Sequence, residues 1–253
     1  MRRLLVLLVL LIAPALAAQS TGKFPPDSLI NTKVIPHSTP VPEVVAMMRG
    51  FAGDLGVRCQ YCHVGNEGEP LGRFDFASDQ KRTKLVARQM MLMLREINRR
   101  IDTIPARLTS TGEPAPRLQA TCGTCHRGVN RPVPLSTQIA DVATAAGVDS
   151  AIRSYRALRQ RYYGRDAYDF SEPSLNTAAF RLARAGRFDD ALALLKLNEE
   201  VYPTGAATYV TRGEIALLHA DTTTAVAAFR EAIRRDSTNM QAYGRLRAIG
   251  RQP

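Results

Sequence analysis

Apolar residues recur along the chain at helical spacing in several separate stretches. Val44, Met48, Phe51 and Leu55 fall at i, i+4, i+7 and i+11, one face of a helix that opens at Pro40 and Pro42 and loosens at Gly53 and Gly56. Val86, Met90, Met93 and Ile97 repeat that template within residues 79–100, a stretch decorated by Lys81, Arg82, Lys84, Arg88 and Arg95. Ile152, Tyr155, Leu158 and Tyr162 form a further stripe, ended near Gly164. From Leu175 onward the pattern takes on a period of 34 residues: Gly186 pairs with Ala220, Ala191 with Ala225, Leu195 with Phe229, and Leu175 with Tyr209 and then Tyr243. Between these segments the chain is punctuated. Residues 19–40 are rich in Pro, Ser and Thr and read as an extended lead-in. Residues 64–79 carry Gly and acidic residues and read as a loop. Residues 101–119, with Pro105, Gly112, Pro114 and Pro116, read as a connector, and 138–148 as a small, polar linker. The pattern predicts an all-α protein.

The first residues follow a different rule. Arg2 and Arg3 precede an unbroken apolar run, Leu4 to Ile12, and Pro14 leads into the small-x-small triplet Ala15-Leu16-Ala17. This is the layout of a secretory signal over residues 1–17, and the run is too short to span a bilayer. The expectation is an exported, periplasmic protein with no membrane span once the signal is cleaved.

Composition narrows the reading. The chain has 253 residues, no Trp and a net charge of +11, and loss of Arg2 and Arg3 with the signal brings that to +9. Arginine is spread along the chain and no aromatic–basic platform appears. That favours docking to acidic proteins over nucleic-acid recognition. No paired carboxylates, Ser–His–Asp arrangement or phosphate loop is present.

All four cysteines and two of the four histidines lie in one phrase that occurs twice: Cys59-Gln60-Tyr61-Cys62-His63 and Cys122-Gly123-Thr124-Cys125-His126. Cys-x-x-Cys-His is the attachment signature of c-type haem. Two intervening residues place both sulfurs on one side of a single turn, where they add to the haem vinyl groups, and the adjacent imidazole becomes an axial iron ligand. A four-thiolate zinc site leaves a long gap between the pairs and a His after each pair unexplained. Two disulfides in an exported chain are the remaining alternative. The haem reading predicts two covalently bound haem c groups, held by Cys59 and Cys62 and by Cys122 and Cys125, with His63 and His126 on iron.

A second axial ligand is then needed, or a position stays open. A thioether is a soft ligand that favours reduced iron and raises the potential. Met48 lies 11 residues before Cys59 and Met90 lies 32 before Cys122, each in the middle of its helical stripe. Met47, Met91 and Met93 are the fallbacks, and any of these side chains could instead fill a core. His37, in the lead-in, is an alternative ligand or a solvated loop residue, and His219 reads as structural. The basic face of Lys81, Arg82 and Lys84 reads as solvated surface, a steering patch or a set of propionate partners.

The stretch from Val34 to Pro134 resembles the multihaem cytochrome c subunit of bacterial photosynthetic reaction centres. The resemblance is carried by Met47-Met48, Asp54-Leu55-Gly56 and the first motif, and by Ala87-Arg88-Gln89-Met90-Met91-Leu92-Met93, Ile97-Asn98 and Thr121 through Gly128. It implies a helix bearing the ligating Met, then a turn, then Cys-x-x-Cys-His, with Met48 and Met90 in the ligand positions. That family carries four haems in two halves. This chain has the motifs of one half, and its connector before Cys122 lacks the family's distal histidine. The 34-residue period resembles tetratricopeptide repeats, two nearly complete and a third truncated, without the consensus Trp.

The expected organisation is therefore a signal over 1–17, a dihaem module over 18–137, a linker over 138–148 and a tetratricopeptide-like helical domain over 149–253. The expected function is electron carriage rather than enzymatic turnover: single electrons pass between redox partner proteins through two His/Met-ligated haems. Two alternatives stand beside it. One is a dihaem enzyme, peroxidase- or reductase-like, with an open iron position. The other is a partner-docking subunit of a larger, membrane-associated electron-transfer complex, with the repeats either recruiting the partner or capping the cytochrome.

Overall fold

The computed structural model describes residues 22–252, so the expected signal lies outside the described residues. Within them the chain is all-α, with ten α-helices, two short 3-10 turns and two isolated bridges. No described helix is long and apolar enough to cross a membrane. The chain divides into two compact units, and the division falls between Thr124 and Cys125, inside the second motif.

The first unit is built on α1 (Val41–Leu55) and α2 (Arg82–Ile101). Pro42 sits in the first turn of α1, where its missing N–H is harmless. Gly56 ends the helix in the left-handed region at φ 64°, its N–H closing on the Ala52 and Gly53 carbonyls. That cap delivers the chain to Cys59 three residues later. α2 ends on Arg99 and Arg100, cations placed where the helix dipole favours them. Residues 64–79 form the expected loop, pinned where the Asp75 N–H donates to the Val64 carbonyl at 2.9 Å. The connector before the second motif folds back on itself through a bridge between Leu108 and Pro114.

The second unit is a succession of helix pairs: α4 (Leu135–Ala146), α5 (Val148–Tyr162), α6 (Glu172–Arg184), α7 (Phe188–Val201), α8 (Ala207–Leu218), α9 (Thr222–Arg235) and α10 (Met240–Ala248). The five-residue α3 (Cys122–His126) precedes them and holds the second motif. α4 packs on α5 and α6, α6 on α7 and α8, and α8 on α9. The starts of α7 and α9, Phe188 and Thr222, are 34 residues apart, the period of the sequence pattern.

The stretch 138–148, expected as a linker, is helix for most of its length. Leu135, Ile139, Ala140 and Ala143 point inward and share one core with Tyr155, Leu175, Leu182, Leu194 and Leu195. Small side chains that resemble a linker in composition are here what lets two backbones approach. The break comes at Gly147, φ 84°, between α4 and α5. A second core gathers Val210, Phe229, Ala232 and Leu246. There Gly213 is required by close approach, since a Cβ would stand 2.5 Å from the Phe229 ring.

Candidate functional site

The first motif is a single 3-10 turn, Cys59–Tyr61, in which the N–H groups of Cys62 and His63 both reach the Cys59 carbonyl, at 3.2 and 3.0 Å. The second motif is the short helix α3. Both pairs of thiols are thus carried on one tight turn, as the spacing requires. No disulfide joins the four cysteines. Among the described residues no three His, Cys, Asp or Glu side chains converge as a metal-ion site, so the geometry does not support a four-thiolate zinc site. Burial pushes the Cys62 thiol up, against Thr83 and the Lys81 charge, which pull it down.

Helix α2 is wired to both motifs. At its start, Lys81 donates to the Gln60 carbonyl and Thr83 to the Tyr61 carbonyl. Near its end, Asn98 Nδ2 donates to the Ala120 carbonyl at 2.9 Å, and the Ala120 N–H donates back to Asn98 Oδ1 at 2.8 Å. Helix α1 reaches both as well. It runs directly into the first motif, and a Cβ on Gly123 would stand 2.9 Å from Asp54 Oδ1. Glycine in the second motif is what admits that carboxylate.

The two imidazoles are held differently. Arg127 (φ 49°) and Gly128 (φ 82°) turn the chain back so that the Val129 N–H reaches the His126 carbonyl at 2.9 Å. In the same turn His126 Nδ1 lies 2.9 Å from the Val129 carbonyl oxygen. A carbonyl only accepts, so Nδ1 carries the proton and the Nε2 lone pair is left to act as a ligand. His63 packs edge-on against Phe76, centroids 4.9 Å apart, and Phe76 in turn meets Phe24 and Phe74. The Phe74 ring fits only because residue 65 is glycine, where a Cβ would stand 2.5 Å from it. His63 Nδ1 is buried with no partner in hydrogen-bonding geometry. Burial, reinforced by the Lys84 charge, holds the His63 pKa below the usual histidine range, against the Phe76 backbone. The neutral, ligand-competent form is therefore favoured.

The methionine candidates lie where the stripes placed them. Met47 and Met48 are half-buried on α1. On α2 the apolar stripe faces outward: Val86, Met90 and Met93 are 44, 43 and 49% exposed. The side turned toward the protein carries Lys84, Arg88 and Asn98 beside the partly buried Met91 and Leu94, with the exposed Arg95 at its edge, roughly 150° around at 100° per residue. Each of these polar residues donates to a backbone carbonyl: Lys84 to Phe76, Ala77 and Ser78, Arg88 to Asn31, Arg95 to Val34 and Asn98 to Ala120. α2 thus exposes one apolar stripe while burying part of a polar one.

The basic face read as surface is corrected in part by this arrangement. Lys84 is buried at 9% exposure and Lys81 is engaged with the first motif, while Arg82 is exposed. Sequence reasoning also missed Asp79 and the Phe74–Phe76 pair, and it named Asn98 only through the family resemblance. The i, i+4, i+11, i+14 spacing of Lys84, Arg88, Arg95 and Asn98 is the signal that could have found the polar stripe. His37 is exposed, 3.4 Å from the Thr32 hydroxyl, and His219 is stacked on Phe188 at 4.4 Å.

The residues fit covalent haem c. Two thiols sit on each turn, one imidazole has its tautomer set, burial lowers the pKa of the other, and a half-open apolar helix face runs through Met90.

Residues 42–162 match the photosynthetic reaction centre cytochrome C subunit family. The chain is 36% identical over 93 residues to the photosynthetic reaction center cytochrome c subunit of Rubrivivax gelatinosus (strain NBRC 100245 / IL144), a match covering 34% of this chain and 23% of that protein. It therefore spans about a quarter of the length of that relative. The family match runs through α4 and α5, beyond the expected end of the haem module at residue 137.

Proposed function

We propose that this chain is an exported dihaem c-type cytochrome that passes single electrons between redox partner proteins. One haem c would be attached to Cys59 and Cys62, with His63 and Met48 on iron. The other would be attached to Cys122 and Cys125, with His126 and Met90. When bound, the haems supply reversible one-electron chemistry at iron. The chain's residues do the rest. His126 presents Nε2 because Nδ1 is committed to Val129, and His63 is kept neutral by burial. The thioethers of Met48 and Met90 would hold the iron and favour its reduced state. With His and Met both held on iron, electron exchange would need no substrate at the metal and no bond rearrangement.

The observation that carries this reading is the outward apolar face of α2, on a helix whose two ends are tied to the two motifs. A soluble helix normally buries its apolar stripe against protein. Here the protein-facing side is satisfied by hydrogen bonds, which leaves the apolar side for a flat apolar group. The layout of residues 1–17 supports export to the periplasm. The helix pairs of the second unit, with their 34-residue spacing, support a tetratricopeptide-like docking surface for a redox partner. The name of the relative, a photosynthetic reaction center cytochrome c subunit, supports a place in a larger complex.

The test is a spectroelectrochemical titration of the full-length protein expressed with haem-attachment machinery. Two covalent haems per chain, low-spin at rest, with methionine–iron charge-transfer absorption that falls by half in Met48→Ala and again by half in Met90→Ala, are expected. Absence of covalent haem overturns the reading. High-spin iron that reacts rapidly with peroxide replaces it with the enzymatic one.

A further inference from the structure

Lys84 is a long cation in the interior of a unit with little else buried. An ammonium has three N–H donors, and burying it is costly unless each is satisfied. Lys84 Nζ meets the Phe76, Ala77 and Ser78 carbonyls at 2.9, 3.0 and 2.8 Å and the Asp79 carboxylate at 3.2 Å. The loop is tightened from outside as well. Asp75 Oδ1 accepts from the Ala77 and Ser78 N–H groups, Asn31 donates to the Ala77 carbonyl, and Arg88 pairs with Asp79 at 2.9 Å. The product of this wrapping is the position of Phe76, whose ring packs on His63.

We propose that Lys84 is a positioning residue for the first motif, which holds Phe76 against His63 and raises the reduction potential of the haem on Cys59 and Cys62 above that of the haem on Cys122 and Cys125. The inference rests on the haem reading of the two motifs. A fixed cation in a low-dielectric interior disfavours the extra positive charge of oxidised iron far more than a solvated one does. The charges grouped here are Lys84 and Arg88 against Asp75 and Asp79, and Asp79 is partly open to solvent where Lys84 is not. The second motif has the reverse arrangement. Arg127, the cation beside His126, is exposed, and the Val129 carbonyl makes the His126 ring a stronger electron donor through Nδ1. The acceptor that faces His63 is the Phe76 backbone, which falls short of hydrogen-bonding geometry at Nδ1 and whose carbonyl already accepts from Lys84. Both differences raise the first couple relative to the second.

The experiment measures both midpoint potentials in the haem-loaded full-length protein, with the first couple assigned as the one whose methionine–iron band disappears in Met48→Ala. Lys84→Met is expected to lower the first couple's reduction equilibrium at least tenfold, about 59 mV for one electron, and to leave the second within twofold. Lys84→Arg restores it. Asp79→Asn, on the more exposed partner, removes a negative charge from the same loop and raises the first couple. A purely structural role for Lys84 predicts the same direction for both variants. Shifts of the same sign, an unmoved first couple or a higher-potential second couple each overturn the inference. If Lys84→Met does not accumulate, the sign of the Asp79→Asn shift still decides. Covalent haem with unmoved potentials defeats this inference alone, whereas absence of covalent haem defeats the reading it rests on.

Discussion

Among the described residues, the unit from Cys125 onward buries 27 apolar side chains, and the unit ending at Thr124 buries one, Val44. The second unit is held together as proteins usually are, by helix faces that cover one another. The first has two good helices and a set of backbone hydrogen bonds from Lys84, Arg88, Arg95 and Asn98, with only partly buried apolar residues and an open apolar stripe on α2. Covering the open half of Val86, Met90 and Met93 would contribute about 1 kcal/mol each, about 3 kcal/mol together. That is a large share of the stability of a small domain, about 5–15 kcal/mol. The contrast teaches that hydrogen bonds set the geometry of the first unit, and on the proposed reading the apolar surface of the haems would supply the stability that a protein core supplies in the second.

The largest effect should come from removing the attachment points. In full-length protein with Cys59, Cys62, Cys122 and Cys125 all changed to Ala, amide exchange in α1 and α2 should accelerate about 100-fold or more, since about 1.4 kcal/mol corresponds to tenfold. Amides in α6 to α9 should be unchanged. Equal acceleration in both units would erase the comparison.

The converse variant is Phe229→Ala, which empties a fully buried site in the second core. It should cost about 3–5 kcal/mol and lower the thermal transition of the helical pairs. The visible haem spectrum should stay as in the parent.

A smaller effect isolates the hydrogen-bonded frame of the first unit. Asn98→Ala removes both bonds to Ala120 and should cost about 1–2 kcal/mol. The readout is faster exchange at the Ala120 amide, with α1 unaffected.

The smallest effect is on pH dependence. Arg88, then Asn31 and Lys84, hold the Asp79 carboxyl well below its ordinary value of 3.8. A depressed folded-state pKa means the contribution is complete above about pH 4 and is lost as pH falls below it. The acid limb of first-unit unfolding should therefore begin below pH 4 and flatten in Asp79→Asn. An unchanged limb would show that the cluster around Lys84 does not depend on that charge.

The parts legible in the sequence were those with a period or a fixed spacing. The stripes placed α1 and α2 within three residues of their observed bounds, and the 34-residue recurrence matches the spacing of α7 and α9. What could not be read was direction. Periodicity shows that Val86, Met90 and Met93 share a face but not whether protein or another group lies against it, because an apolar stripe toward the core is the ordinary case. Lys84 looked like surface because a lysine is rarely buried, and only the loop carbonyls of residues 76–78, brought together by folding, make its burial tolerable. Residues 138–148 looked like a linker because Ala and Thr carry little apolar signal, yet a close helix contact needs small residues. Phe74 and Phe76 were hidden in a loop whose Gly65 reads as flexibility and serves as space for a ring.

The central claim is that a covalently attached group covers the outward face of α2, and thioether oxidation measures that cover directly. Full-length haem-loaded protein and the four-Cys→Ala variant would be treated with a mild thioether oxidant and the sulfoxides located by mass spectrometry. Met240, 73% exposed in the second unit, serves as the internal standard. The account predicts that Met90 and Met93 resist oxidation in the loaded protein and oxidise at a rate near that of Met240 in the variant. Oxidation of Met90 and Met93 at the Met240 rate in the loaded protein would contradict it.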